Sequence, residues 1–314
     1  MATRNTKSHK KDSKFSLSHI PSVSSLLVFV LFVFFVATCS AESPTRLTSD
    51  GLLKQRPAWS PDGTQLAFTR HQGATIFLFI RSTDGSERRL TKSKDPEFDA
   101  HWSPDGKRLV FAFDRTVPNQ GDMDVHSIAA DGSDLQSVLA SPGKLTHEEW
   151  PSWSPDGQRI ALSSTRDGNQ EIYTVQPDGK DLKRLTSDPA IDAHPCWSPD
   201  SQRVAFSTNR WGDLEIAVVN ADGSNLVRLT DSRGFDDYPA WSPDGKTIAF
   251  TSYRDGNPEI YVIDSDGKNP RNCTQHPAID NFPAWSPAGE LTFVSNRSGG
   301  FEIYKQDFAA AAKP

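Results

Sequence analysis

Trp59-Ser60-Pro61-Asp62-Gly63 decides the fold, because the motif returns along the whole chain. It begins again at Trp102, Trp153 and Trp241, with variants in Trp197-Ser198-Pro199-Asp200-Ser201 and Trp285-Ser286-Pro287-Ala288-Gly289. Successive tryptophans lie 43, 51, 44, 44 and 44 residues apart. A repeat of roughly 40–45 residues is the length of one four-stranded propeller blade. The copies therefore predict an all-β fold, a six-bladed β-propeller of antiparallel blades.

The copy around Trp241 shows how the residues specify the strands. Pro239 to Trp241 reads as the innermost strand, and Ser242-Pro243-Asp244-Gly245 as a tight turn in which proline presets φ and glycine accepts a left-handed backbone. Thr247 to Ser252 and the β-branched, aromatic Glu259 to Ile263 read as the second and third strands. Asp266-Gly267 then turns the chain into an outer strand ending at Asn272-Cys273-Thr274, where other copies read Leu-Thr. Third strands such as Ile260-Tyr261-Val262-Ile263 are apolar on both faces, as expected for sheets covered by a neighbour on each side. The six tryptophans read as packing between blades.

The last copy ends at Phe308, after its third strand. Thr45-Arg46-Leu47-Thr48 instead matches the outer-strand endings Arg89-Leu90-Thr91, Arg184-Leu185-Thr186 and Arg228-Leu229-Thr230. The N-terminal segment is thus predicted to supply the sixth outer strand and close the ring, leaving no open sheet edges. The domain is expected over 44–308, with a disordered tail at 309–314.

Residues 1–43 differ in kind. Basic residues from Arg4 to Lys14 precede an unbroken apolar run, Leu26 to Ala37, and then small residues. That is the order of a secretory signal peptide, and the run falls short of the roughly 20 residues a membrane span needs. Cleavage near Ala41 and a periplasmic or secreted protein are expected, with no stable membrane span; Cys39 as a lipoprotein acylation site is the alternative. The segment carries +3 of a total of −6, which leaves −9 on the remainder and disfavours nucleic acid as a partner. Cys196 and Cys273 occupy non-matching repeat positions and read as two buried free thiols. A monomer is expected.

The six copies, together with Arg-Asp-Gly-Asn and Glu-Ile-Tyr between Arg166 and Tyr173 and between Arg254 and Tyr261, resemble the propeller repeats of TolB. The resemblance implies a binding role for an envelope protein, without the α/β domain that precedes the propeller in TolB. Similar repeats occur in oligogalacturonide lyases and in the propellers that gate some peptidases. No Gly-x-Ser-x-Gly elbow is present, so a non-catalytic protein- or peptide-binding scaffold is the leading expectation. A metal-dependent polysaccharide lyase using channel histidines is the alternative that the lyase resemblance implies.

Differences among repeats mark the candidate binding residues. The Ser-Pro-Asp-Gly and Asp-Gly turns share one face of the ring, and the variable loops share the other. Five residues before the tryptophans stand Glu97, Glu148, Asp192, Asp236 and Asp280, with Lys54 as the exception. Either each carboxylate caps its own loop, or together they form an acidic rim at the channel mouth suited to Ca²⁺ or a basic segment. Three residues before stand Trp150, His194, Tyr238 and Phe282, with Arg56 and Asp99 in the first two copies. These either pack under the loop or present aromatic faces to a peptide or sugar. Arg115, Arg166, Arg210, Arg254 and Arg297 are read as partners of acidic groups, with Glu171, Glu215, Glu259 and Glu302 following at regular spacing. Insertions at Thr116 to Asp122 and Ala140 to Thr146 fall on the variable face. His101, His147, His194 and His276 share no repeat position and show no zinc-site spacing, so no cofactor is expected beyond the Ca²⁺ reading.

Overall fold

The computed structural model describes residues 43–114, 123–140 and 146–308. They form six four-stranded antiparallel sheets. The inner strands are Lys54–Trp59, Glu97–Trp102, Glu148–Trp153, Asp192–Trp197, Asp236–Trp241 and Asp280–Trp285. The fifth blade continues through Thr247–Ser252, Glu259–Asp264 and Arg271–Asn272, close to the sequence reading; its inner strand begins earlier than expected. The sixth blade comprises Asp280–Trp285, Leu291–Ser295 and Glu302–Gln306, with Thr45–Arg46 pairing antiparallel on the last of these as the outer strand. The N-terminal strand closes the ring.

The core lies between blades. Phe68, Phe111, Phe206, Phe250 and Phe293, at equivalent points of the second strands, are fully buried, and Leu162 takes that place in the third blade. Each such side chain contributes about 1.5–3 kcal/mol by leaving water. Trp102 packs with Leu78, Ile80 and Leu90 of the preceding blade, and Leu66, Phe68 and Phe79 of the first blade meet Val294 and Ile303 of the last. The indole N–H groups of Trp102 and Trp285 donate to the carbonyls of Ala58 and Ala240, each 3.0 Å away in the preceding blade. The tryptophans therefore fasten blade to blade. In the Asp-Gly turns, a Cβ on Gly179 would stand 2.5 Å from the Val138 carbonyl oxygen of the neighbouring blade, so only glycine allows that approach.

One thiol expectation is corrected. Cys196 is free, but Cys273 is disulfide-bonded.

Candidate binding channel

Every inner strand carries the same irregularity. Between Glu149 and Ser152, Ala193 and Cys196, Asp237 and Ala240, and the matching points of the other blades, the register with the second strand slips. The residue at the slip is in the left-handed region in all six blades: Arg56, Asp99, Trp150, His194, Tyr238 and Phe282, with φ between 53° and 58°. In five of the six a proline follows, which has no N–H to lose from the ladder. A left-handed non-glycine residue costs about 1–2 kcal/mol, and a bulge re-aims the side chain it carries. Local hydrogen bonds support it in two blades, where Asp237 and Asn281 accept the N–H of Tyr238 and of Phe282, both at 2.8 Å.

These six side chains meet in a collar. Trp150 and His194 have ring centroids 4.1 Å apart, His194 and Tyr238 4.3 Å, and Tyr238 and Phe282 4.7 Å. The Arg56 guanidinium lies 4.2 Å from the Tyr238 ring centre, 5.5 Å from Phe282 and 5.9 Å from Trp150. Its Nε stands 3.3 Å from Asp99 Oδ1. One side chain from the first blade thus contacts the second, third, fifth and sixth.

Protonation follows from burial and pairing. His194 Nδ1 and Asp237 Oδ1 are 2.5 Å apart, and the Ser207 hydroxyl donates to the same oxygen at 2.6 Å. Burial holds the His194 ring below its ordinary value against the pull of Asp237. Burial would raise Asp237, but His194, Ser207 and the Tyr238 N–H keep its carboxyl below the usual range. The neutral ring therefore donates from Nδ1 and keeps a lone pair on Nε2, which is buried and has no partner among the described residues. Burial raises Asp99 against the opposing charge of Arg56, and pushes the Tyr238 hydroxyl up to about 12.

A cavity of about 410 Å³ adjoins the collar. Its lining runs from the collar residues through the prolines and alanines before each tryptophan to Pro61, Pro155, Pro199, Pro243 and Pro287 of the turns. The volume runs between the collar and the Ser-Pro-Asp-Gly turns, and Trp150, His194, Tyr238 and Phe282 of the expected binding residues line it. His101 and Cys196 also line it; burial lowers His101 to about 4 and raises the Cys196 thiol to about 11.

The expected acidic rim does not line this cavity. Glu97, Glu148, Asp192, Asp236 and Asp280 are all fully buried at the starts of the inner strands. Arg166, Arg210, Arg254 and Arg297 reach Glu148, Asp192, Asp236 and Asp280 at 2.8, 2.6, 2.8 and 2.7 Å. This corrects the spacing-based pairing, because Glu171 and Glu215 are engaged elsewhere. Each of those two accepts the threonine hydroxyl of its own outer strand, at 2.6 and 2.5 Å, and pairs with Arg184 or Arg228. A free charge inside a sheet is costly, so four of these carboxylates pair with an arginine of their own blade, while Glu97 accepts the Leu78 N–H at 3.1 Å and the Thr91 hydroxyl, both from the preceding blade. Arg115 and most of the two insertions lie outside the described residues, as do residues 1–42 and 309–314, on which the leader, Cys39 and tail readings rest.

Sequence reasoning placed the four aromatic positions together but left Arg56, Asp99 and Asp237 aside. Their signal was in the alignment of copies, since Arg56 and Asp99 hold the same repeat position as the aromatics. Among the described residues, no group of three or more His, Cys, Asp or Glu is arranged to hold a metal, and no helix is long and apolar enough to cross a membrane.

The TolB beta propeller domain family matches residues 136–238 and 229–313, more than half of the chain. The chain belongs to that family. A Protein TolB homolog from Chlorobium luteolum is 31% identical over 133 residues, which cover 42% of this chain and 29% of that protein. This TolB-type propeller spans less than half the length of the curated relatives it matches. Among solved structures, TolB from Acinetobacter baumannii superposes with a TM-score of 0.69 at 21% identity, over 78% of this chain and 60% of that one. An oligogalacturonate lyase from Vibrio parahaemolyticus reaches 0.60 at 17% identity, over 89% and 97%. At these identities both likenesses are to the fold.

Proposed function

We propose that this TolB-type propeller is a non-catalytic, extracytoplasmic scaffold that receives a peptide segment of a protein partner in its central channel, against the collar. The observation that carries the reading is the collar itself: six left-handed positions, each costly, all aim side chains at one point. Strain repeated at a channel wall has more to do with what the wall meets than with folding. Packed aromatic faces beside a guanidinium suit a peptide. Membership of the TolB family supports binding rather than catalysis, and the Leu26 to Ala37 leader supports export.

Site-specific crosslinking tests it. p-Benzoylphenylalanine in place of Phe282 should capture one predominant protein from the native envelope fraction, and the same group at the exposed outer-strand residue Val227 should not. Equal capture at both positions, or none at Phe282, counts against the channel. Export is checked by mass spectrometry of the N-terminus, expected near Glu42; an intact Met1 on cytosolic protein contradicts it.

A further inference from the structure

We propose that the channel selects the free C-terminus of a peptide, with the Arg56 guanidinium holding the terminal carboxylate and His194 Nε2 accepting the N–H of the last residue. The inference rests on the channel reading above and specifies its ligand chemistry.

Arg56 is the first half of the site. Asp99 engages only its Nε edge, at 3.3 Å, and among the described residues Nη1 and Nη2 make no hydrogen bond. The aromatic faces of Tyr238, Phe282 and Trp150 hold the guanidinium plane in place without occupying those donors. A guanidinium with a free Nη edge at the wall of a cavity matches a carboxylate in geometry and charge. Asp237, the other nearby carboxylate, is already satisfied by His194, Ser207 and the Tyr238 N–H.

His194 is the second half. It is only 8% exposed, it lines the cavity, and among the described residues its Nε2 has no partner. With Nδ1 donating to Asp237, Nε2 is an acceptor. His194 and Arg56 lie against the same Tyr238 ring, at 4.3 and 4.2 Å. An anion receptor and an N–H receptor set against one ring complement a carboxylate joined through one carbon to an amide N–H, which is the end of a polypeptide. A simple aliphatic acid has no N–H for His194. The volume of about 410 Å³ falls in the usual small-ligand range of roughly 300–1,000 Å³.

The test uses two pools of N-acetylated random tetrapeptides, identical except that one has free C-termini and the other is amidated. Each is incubated with the protein, and retained peptides are counted by mass spectrometry after size filtration. Free-acid peptides should be retained at least tenfold over their amides, and propionate at the same concentration should not compete. Arg56→Gln should bring the ratio to one. Arg56→Lys should restore it in part, showing that charge and not mere packing is read. His194→Phe, which keeps a ring but no acceptor, should reduce retention of the free acids. A ratio of one in the wild type, no retention of either pool, or an unchanged ratio in folded Arg56→Gln protein overturns the proposal. If acids and amides bind equally while Phe282 still crosslinks a partner, the channel reading stands and the carboxylate selection fails.

Discussion

His101 and His194 face one channel in opposite tautomers. His101 Nδ1 accepts the Trp153 N–H at 3.1 Å, so its proton sits on Nε2, whereas His194 donates from Nδ1 to Asp237. Burial holds both neutral, and His101 titrates near about 4 rather than at its ordinary value of 6.5. A histidine whose folded pKa is depressed stabilises the fold above its unfolded pKa, and that contribution is lost as pH falls, because the unfolded chain takes up the proton first. Stability should therefore decline between pH 6.5 and about 4. His101→Gln should flatten this part of the pH profile in thermal melts; an identical slope in variant and wild type would remove His101 as its cause. At this scale the sequence disclosed which residue types share a repeat position. It could not disclose tautomers, which depend on a backbone N–H some fifty residues away in the case of His101.

At the scale of elements, the inner strand shows the limit of pattern reading. Its alternation is broken by a bulge that places the residue before proline in the left-handed region, and the tryptophan and turn signals nearby say nothing about that slip. The first blade carries a second surprise. Lys54 stands where the other blades have a carboxylate, is fully buried, and pairs with Asp50 and, at 2.9 Å, with Glu302 of the sixth blade. Glu302 in turn accepts the Thr48 hydroxyl and the Gly51 N–H, both at 2.5 Å. The exception in the repeat is a charge latch where the two ends of the ring meet. Lys54→Met leaves Glu302 buried and unpaired and should cost about 3–5 kcal/mol in denaturant unfolding. Lys54→Met with Glu302→Gln should cost less than the sum of the two single changes. Gly179→Ala, which drives a methyl into the Val138 carbonyl oxygen, should cost about 2 kcal/mol or more, and a neutral result would mean that the blades can separate there.

At the scale of the molecule, closure is the property with the largest consequence. Removing Ser43 to Asp50 takes away the outer strand of the sixth blade, the Thr48 hydroxyl that serves Glu302, and the Asp50 partner of Lys54. A loss of about 3 kcal/mol would lower Tm by roughly 6–12 °C for a domain of this size, at about 2–4 °C per kcal/mol. An unchanged melting curve would show that the ring holds without its closing strand.

The sequence alone determined the blade count, the turn at the end of each inner strand, the packing role of the tryptophans and the segment that closes the ring. Those properties are local or periodic, and a repeat writes them down once per blade. Tertiary structure alone decided which carboxylate each arginine meets, that the acidic positions are buried rather than displayed, and that Arg56 reaches across the channel to Tyr238. Such pairings depend on the curvature that brings six strands to one axis and on the desolvation that makes an unpaired buried charge costly, and neither is visible along a chain.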